Sequence, residues 1–339
     1  MTTPAPMGQI YLHSYLTPFA AILARADVTD IYVNQPGEIW VETLGGVVEH
    51  HTAPPLTREV LDRLARQLAA FSHQGVNREH PLLSAALPSG ERVQFIIPPA
   101  TRGEPALAIR KHTSSDMGLE DYVAAGAFAG FTNDPKSGAR RPADQPQLRT
   151  LLDSGDLAGF LRAAVKGRRN ILISGGTSTG KTTFLNALIA EIPEHERLIL
   201  IEDTPELRPR HRNVVGLLAA RSALGEAGVI AEDLLNASLR MRPDRILLGE
   251  LRGPEAFTFL RTVNTGHPGS MTTVHADSPE RAVEQIALLV LQGGARLRRE
   301  DVLHYVQSTI DVFVQLDRQG GKRIVSDVRL GLESPTTAR

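Results

Sequence analysis

The sequence predicts an α/β protein with two domains, in which a parallel-rich sheet is preceded by a smaller α+β domain. The parallel sheet is predicted from apolar runs at Asn170–Ser174, Leu198–Ile201 and Arg245–Gly249, which alternate with helical segments. Continuous apolar strands separated by helices are typical of a parallel sheet covered on both faces. The first 130 residues instead mix short strands with helices, and Pro36-Gly37 is a turn signal between two of the strands.

In the first domain, the sequence predicts short strands and a helix with one apolar stripe. The predicted strands are Ile31–Asn34, Ile39–Thr43, Arg92–Ile97 and Ala106–Lys111. Thr57 is a suitable helix N-cap, because its hydroxyl can accept a hydrogen bond from a free N–H group of the first turn. The stripe consists of Val60, Leu61, Leu64 and Leu68. Its spacing predicts a helix that packs against the sheet and has no chemical role.

In the second domain, helices are predicted between the strands. They cover Leu157–Lys166, a segment that starts at Lys181, and Ala231–Met241. Gly253 before Pro254 and Ser278 before Pro279 indicate two further helices with proline at the first helical position. The segment between these two helices, Ser270–His275, is predicted as another strand.

The domain boundaries follow from length and composition. A chain of 339 residues suggests two domains. We expect the N-terminal α+β domain at residues 1–130, with a flexible tail at residues 1–12, and the α/β domain at residues 151–339. A linker is predicted at residues 131–150, since the composition there becomes polar and is spaced by Pro135, Pro142 and Pro146.

The composition excludes several classes of protein. Because 37 Lys and Arg stand against 38 Asp and Glu, the net charge is -1 and no overall field favours nucleic acid or anionic lipid. The chain has no cysteine, which excludes disulfides, cysteine-based zinc sites and a thiol nucleophile. No apolar run approaches the ~18 residues of a membrane span, so we expect a chain that does not cross a membrane.

The strongest motif is a full G-x-x-x-x-G-K-T between a predicted strand and a predicted helix, the context of a phosphate-binding P-loop. Its glycines let backbone N–H groups surround phosphate oxygens at a helix N-terminus, where the helix dipole also favours an anion. Lys181 is expected to reach the β- and γ-phosphates, and the Thr182 hydroxyl to bind magnesium. The candidate ATP-binding residues are Gly175, Gly176, Thr177, Ser178, Thr179, Gly180, Lys181, Thr182 and Thr183.

Acidic residues and a histidine follow three other predicted strands. Glu202 and Asp203 follow one strand, Glu250 follows the next, and His275 ends a third. Ligands of an open α/β sheet bind beyond the carboxyl ends of its strands, so these side chains should face the nucleotide. Glu250 or Glu202 would order the attacking water, two roles that the sequence leaves open, and His275 would sense the γ-phosphate. The candidate metal ligands are Thr182, Glu202 and Glu250.

Together these motifs resemble the Walker A, Asp box, Walker B and His box of the secretion superfamily ATPases. Within that superfamily the chain looks most similar to the hexameric, VirB-type traffic ATPases of type IV secretion systems. The motifs of the second domain are Lys181-Thr182, Ile201–Leu207, Leu239–Arg252 and Gly266–His275. In the first domain the resemblance involves Asn34–Glu38, Gly90–Gln94, Pro98-Pro99 and Ile109–Lys111.

The resemblance implies a magnesium-dependent ATPase that forms a homo-hexameric ring and drives substrate translocation or pilus assembly. Its second domain would be RecA-like, with ATP bound between the domains, and Arg102 and Arg110 of the first domain would complete the catalytic set of Lys181, Glu202, Glu250 and His275. The resemblance also implies a cytoplasmic protein at the inner membrane with channel components as partners, and direct binding of nucleic acid is not expected. The linker leaves open whether each ATPase domain packs against its own first domain or a neighbour's.

Three other interpretations remain at this stage. A tight-adherence pilus ATPase has a similar histidine box, whereas the type II secretion branch is disfavoured because it usually carries a tetracysteine zinc element. A DNA-driven RecA-like motor would share the catalytic core, but the chain has only 5% aromatic residues for stacking bases. A scaffold that binds ATP without hydrolysing it is the third alternative.

Overall fold

In the computed structural model, which describes residues 7–111, 145–220, 227–320 and 322–332, the N-terminal part folds around an antiparallel sheet. In the described chain this sheet has six strands in the order β3-β2-β1-β6-β5-β4. The strands are β1 Val28–Val33, β2 Glu38–Thr43, β3 Val48–Thr52, β4 Leu82–Ala86, β5 Arg92–Ile96 and β6 Ala106–Arg110. The Pro36-Gly37 turn joins β1 and β2 as predicted, and Gly37 adopts a φ of 86°.

Helices cover the apolar face of this sheet. They are α1 Met7–Leu16, a single helical turn Thr17–Phe19, α2 Ala20–Leu23 and α3 Arg58–Phe71. The predicted cap of α3 is confirmed, since the Thr57 hydroxyl accepts a hydrogen bond from the Val60 N–H. Leu61, Leu64 and Leu68 of the predicted stripe are buried in the core of this domain, with Val60 at its margin.

Part of the range that the sequence predicts as a flexible tail, residues 1–12, lies in a helix. Helix α1 begins at Met7, and Leu12 on this helix is fully buried. The Leu12 side chain packs in the core of the first domain, and this burial favours the helix. Residues 1–6 lie outside the described residues.

The C-terminal part contains a mostly parallel sheet in the order β13-β12-β7-β11-β10-β8-β9 among the described strands. Its strands are β7 Ile171–Gly175, β8 Leu198–Glu202, β9 Val214–Leu218, β10 Arg245–Leu248, β11 Met271–Val274, β12 Val312–Gln319 and β13 Lys322–Leu330. All neighbours pair in parallel except β12 and β13, which form an antiparallel hairpin. Strand β7 is an interior strand, and β11, β10 and β8 follow in that order on one side of it.

Helices pack on both faces of this sheet, as the alternating pattern predicts. They are α4 Gln145–Asp153, α5 Leu157–Lys166, α6 Lys181–Ile189, α7 Ala231–Ser238, α8 Glu255–Asn264, α9 Pro279–Gln292 and α10 Arg299–Thr309. Ser278 caps α9, with Pro279 at the first helical position. In the described ranges, no helix has both the length and the apolarity of a membrane span.

Some boundaries differ from those expected. Helix α7 ends at Ser238 instead of Met241, and Pro254 lies at the N-cap of α8 instead of its first helical position. Helix α4 begins at Gln145, inside the range predicted as linker, whereas residues 112–144 lie outside the described residues.

The two sheets contact each other through the edge strand β9. The N–H of Arg102 donates to the carbonyl of Gly216 at 3.0 Å, and the N–H of Leu218 donates to the carbonyl of Ala100 at 2.9 Å. The loop between β5 and β6 therefore covers an edge whose backbone groups would otherwise lack partners. This backbone pairing also fixes where the Arg102 side chain starts.

Candidate active site

The P-loop connects β7 to α6 and has the backbone geometry of an anion cradle. Ser178 has a φ of 62° and Gly180 a φ of 91°, both in the left-handed region. The Thr179 hydroxyl closes the loop by donating to the Gly176 carbonyl at 2.9 Å. Successive N–H groups that turn inward in such a loop, at a helix N-terminus, form a concave site for phosphate.

Lys181 is buried at the centre of this loop. Its Nζ donates to the carbonyls of Gly175 at 3.0 Å and Gly176 at 3.2 Å, and lies 3.3 Å from Nδ1 of His275. Burial lowers the pKa of Lys181, an effect that nearby Glu250 opposes. An ammonium held by backbone carbonyls can exchange these neutral acceptors for the oxygens of a phosphate.

Glu250 lies at the end of β10 and joins the groups that face the P-loop. His275 Nε2 is 2.9 Å from Glu250 Oε1, and Arg252 Nε donates to Glu250 Oε2 at 2.6 Å. A second nitrogen of Arg252 donates to Asp203 Oδ2 at 2.7 Å. Burial disfavours the charged form of Arg252, but the two carboxylates outweigh it and raise its pKa. Glu250 Oε1 is shielded from solvent and accepts no aligned hydrogen bond.

Glu202 lies at the end of β8 in a different environment. Its Oε1 accepts hydrogen bonds from the N–H groups of Glu206 at 2.8 Å and Leu207 at 2.7 Å. Its Oε2 forms an ion pair with Arg102 of the first domain. Only 3% of the side chain is exposed. Glu202 is therefore held by the backbone and by the first domain, whereas the neighbours of Glu250 are His275 and Arg252 at the P-loop side.

The two predicted arginines of the first domain lie in different places. Arg102 reaches Glu202 by crossing Gly216, and burial lowers its pKa. Arg110 ends β6, where its side chain is exposed and its cross-strand neighbours are Asp30 and Arg92. Across the described residues, no hydrogen bond or ion pair joins Arg110 to the other candidate residues. The structure therefore brings Arg102 to the predicted acidic residues but does not bring Arg110 there.

Two adjoining cavities lie at this edge of the sheet. The first, of about 410 Å³, is lined by residues 177–183 of the P-loop, Glu206, Glu250, Thr273, His275 and Arg323. The second, of about 790 Å³, is lined in part by Glu202, Asp203 and Arg252. Thr182, Glu206 and Glu250 line both. Within the part of the chain described, no three His, Asp or Glu side chains are grouped to hold a metal ion by themselves.

Sequence reasoning missed Arg323 as a residue of this site. Arg323 is on β13, a strand that the apolar pattern did not predict because its apolar residues are interspersed with charged ones. No motif marks it, since it lies about 140 residues after the P-loop. Only the pairing of β12 with β7 brings it there.

Comparisons with known proteins agree with this geometry. The family model described as type II/IV secretion system protein matches residues 147–319. The type IV secretion system protein VirB11 of Bartonella quintana is 40% identical over 326 residues, which is 92% of this chain and 91% of the relative. The type IV secretion system protein PtlH homolog of Bordetella bronchiseptica is 37% identical over 345 residues, 99% of this chain and 100% of the relative.

A solved structure is also similar over nearly the whole length. The crystal structure of the VirB11 ATPase from the Brucella suis type IV secretion system, in complex with sulphate, superposes with a TM-score of 0.89 and 37% identity. The match covers 95% of each chain. These findings confirm the resemblance predicted from the motifs. The chain therefore belongs to the family of type II/IV secretion system proteins, as one of its VirB11-like ATPases.

Proposed function

We propose that the protein is a magnesium-dependent ATPase that acts as a homo-hexameric ring and powers substrate translocation or pilus assembly in a type IV secretion or conjugation system. This proposal is based on the observation that Lys181 of the P-loop, Glu250 and His275 line the same cavity. Phosphoryl transfer depends mainly on positioning and on neutralising charge, and these groups can do both.

The P-loop would bind the phosphates of ATP through its backbone N–H groups and Lys181. Magnesium fits the residues present, because nucleotide sites hold this ion with one or two protein oxygens plus phosphate and water. The Thr182 hydroxyl would hold it, with Glu250 and Glu202 as the acidic candidates nearby. The ion would neutralise charge on the phosphates, and Glu250, which lines the same cavity as Lys181 and His275, fits a role in orienting the attacking water.

The contacts of Glu202 support a different role for this residue. Since its two oxygens are held by backbone N–H groups and Arg102, we propose that Glu202 mainly links the domains. Bound ATP would compete with Glu202 for Arg102, because a phosphate carries more negative charge than a carboxylate. Arg110 would contribute only after a rearrangement of the first domain or from a neighbouring subunit.

The assembly would be organised as the domain prediction implies. We propose an N-terminal domain at residues 1–130, a linker at 131–150 and the ATPase domain at 151–339. The ring would work at the cytoplasmic face of the inner membrane, with channel components as partners. Nucleotide-dependent changes in the contacts between the domains would transmit the energy of hydrolysis to those partners.

The test is phosphate release per chain as a function of protein concentration, at saturating magnesium and ATP, for the unmodified protein and Lys181→Ala. We expect specific activity to rise with concentration as rings form, and the substitution to abolish it. Activity independent of concentration would contradict the ring. Activity that persists in Lys181→Ala would contradict the assigned site.

A further inference from the structure

The β12–β13 hairpin carries three cations beside the P-loop: Arg318, Lys322 and Arg323, here called the hairpin cations. Arg318 pairs directly across the hairpin with Arg323, and Lys322 pairs with Gln319. Like charges opposite each other on antiparallel strands repel and destabilise the pairing. The hairpin cations therefore do not stabilise the hairpin itself.

The hairpin cations have no anionic partner in the part of the chain that the structure describes. None of their side chains forms a hydrogen bond or an ion pair there, and all three are exposed. Arg329 on the same strand behaves differently, since it donates to Asp327 at 2.9 Å and lies 3.6 Å from Glu280. Strand β13 therefore provides Arg329 with acidic partners, whereas Arg323 beside the P-loop has none within the described residues.

Arg323 lies directly against the phosphate-binding loop. A Cβ atom placed on Gly180 would be 2.9 Å from Cδ of Arg323 and 3.5 Å from its Nη1. Arg323 lines the 410 Å³ cavity together with the P-loop and Glu250. With Arg318, Lys322 and Ser178 it also lines an adjoining cavity of about 770 Å³. The unpaired guanidinium is therefore within the nucleotide site.

The strand order indicates which end of the nucleotide Arg323 would meet. Glu250 and His275 follow β10 and β11 on one side of β7, so the reacting γ-phosphate belongs on that side. Strands β12 and β13 lie on the other side of β7. We infer that Arg323 binds the nucleoside end of ATP, next to the α-phosphate, and that Arg318 and Lys322 strengthen the positive field there. This inference rests on the proposed function.

The chemistry of a guanidinium suits this position. Its fork of N–H groups can donate to phosphate oxygens, and its planar face can stack on a purine base. Such contacts are made equally in the ground state and the transition state, because the bond that breaks is at the other end of the triphosphate. Removing them should weaken nucleotide binding and leave the chemical step nearly unchanged.

The experiment compares Arg323→Ala with the unmodified protein and with Arg329→Ala as the matched control on the same strand. Titration calorimetry would give the dissociation constants of ADP and of a non-hydrolysable ATP analogue, and steady-state assays would give kcat and KM. We expect Arg323→Ala to weaken both ligands about tenfold or more, to raise KM similarly, and to change kcat less than about threefold. Arg329→Ala should match the unmodified protein.

Several outcomes would overturn the inference. Weaker binding of the ATP analogue with unchanged binding of ADP would place Arg323 at the γ-phosphate. Unchanged affinity for both ligands would remove it from the site. A melting curve checks that Arg323→Ala is folded. If the unmodified protein neither binds nor hydrolyses ATP, the proposed function fails. If the unmodified protein is active and Arg323→Ala binds nucleotide equally well, only the inference about Arg323 fails.

Discussion

Arg102 of the first domain and Glu202 at the end of β8 form an ion pair that joins the two domains at the edge of the candidate active site. The aliphatic part of Arg102 passes over Gly216 on β9, where a Cβ atom would lie 2.3 Å from its Cδ. Only a residue without a side chain leaves room for this path. A glycine outside every recognised motif thus determines how an arginine reaches the site.

We predict that Gly216→Ala uncouples Arg102 from Glu202 while the fold is kept. The added methyl group meets a flexible side chain, so Arg102 moves instead of the backbone of β9. If Arg102 assists turnover, kcat should fall to the level of Arg102→Ala, a loss of about tenfold or more. Phosphate-release assays on both variants would measure it.

The control is Gly228→Ala, since a Cβ atom there meets no atom within 4 Å and the residue has no positive φ. Gly228→Ala should retain full activity. If Gly216→Ala is also fully active while Arg102→Ala is impaired, the path over Gly216 does not position Arg102.

We predict different consequences for Glu250→Gln and Glu202→Gln. Glu250→Gln should lower kcat by about 100-fold or more with little change in nucleotide affinity, because it removes the group that orients water. Glu202→Gln should instead lower thermal stability, since it weakens two hydrogen bonds from backbone N–H groups and an ion pair. Kinetic assays and melting curves on both variants would check this. A reversal of the two patterns would exchange the roles.

Much of the site was predictable from the sequence because its residues lie at the ends of apolar strands. In a parallel sheet these ends meet at one edge, so Glu250 and His275 could be expected beside the P-loop, and Glu202 at a neighbouring strand end, without coordinates. The type of each central strand was equally clear, since a fully buried strand has few polar residues. The family was identifiable because its motifs follow these strands in the order that secretion ATPases share.

The rest depends on contacts distant in sequence. Strand β9 has Gly216 at its centre, and β13 mixes charged with apolar residues, so neither gave a strong strand signal. Whether Glu202 or Glu250 is available for chemistry depends on the partners of each oxygen. The position of Arg323 beside Gly180 depends on the pairing of β12 with β7. No local pattern contains these relationships.

We predict that a buried ion pair makes the stability of the second domain sensitive to acid. Arg245, which is fully buried, donates to both oxygens of Glu196 at 2.7 and 2.9 Å. Burial alone would raise the pKa of Glu196, but the bonds and charge of Arg245 outweigh it, so the pKa is lowered from 4.5. As pH falls, Glu196 is therefore protonated at a higher pH in the unfolded chain than in the folded chain. This contribution is complete above about pH 4.5 and is lost as pH falls through the lowered pKa.

Glu196→Gln should lower the free energy of unfolding by about 3 kcal/mol at neutral pH, because Arg245 loses its buried counter-charge. The variant should also lose part of the pH dependence, which melting curves between about pH 3 and pH 7 would show. Glu194→Gln, at an exposed position two residues earlier, is the control and should match the unmodified protein. Equal pH profiles for all three proteins would contradict the prediction.

We predict that Arg197 anchors the first domain to the second. This buried guanidinium lies 4.1 Å from the centre of the Tyr32 ring, and its Nη1 donates to Asn34 Oδ1 at 2.6 Å. Burial lowers the pKa of Arg197 to about 10, so it stays charged at neutral pH. Arg197→Ala removes a charged donor and a cation–π contact at once, which should cost about 3 kcal/mol and loosen the contact between the domains.

Hydrogen exchange provides the measurement, because β1 carries Tyr32 and precedes Asn34 directly. Arg197→Ala should speed the exchange of amides in and after β1 and lower the melting temperature. Arg162→Ala is the matched control, since Arg162 forms an exposed ion pair with Glu191 at 3.0 Å, and such pairs contribute about 0 to 1 kcal/mol. If both variants exchange like the unmodified protein in β1, the first domain is held by its backbone pairing with β9, and Arg197 is not its anchor.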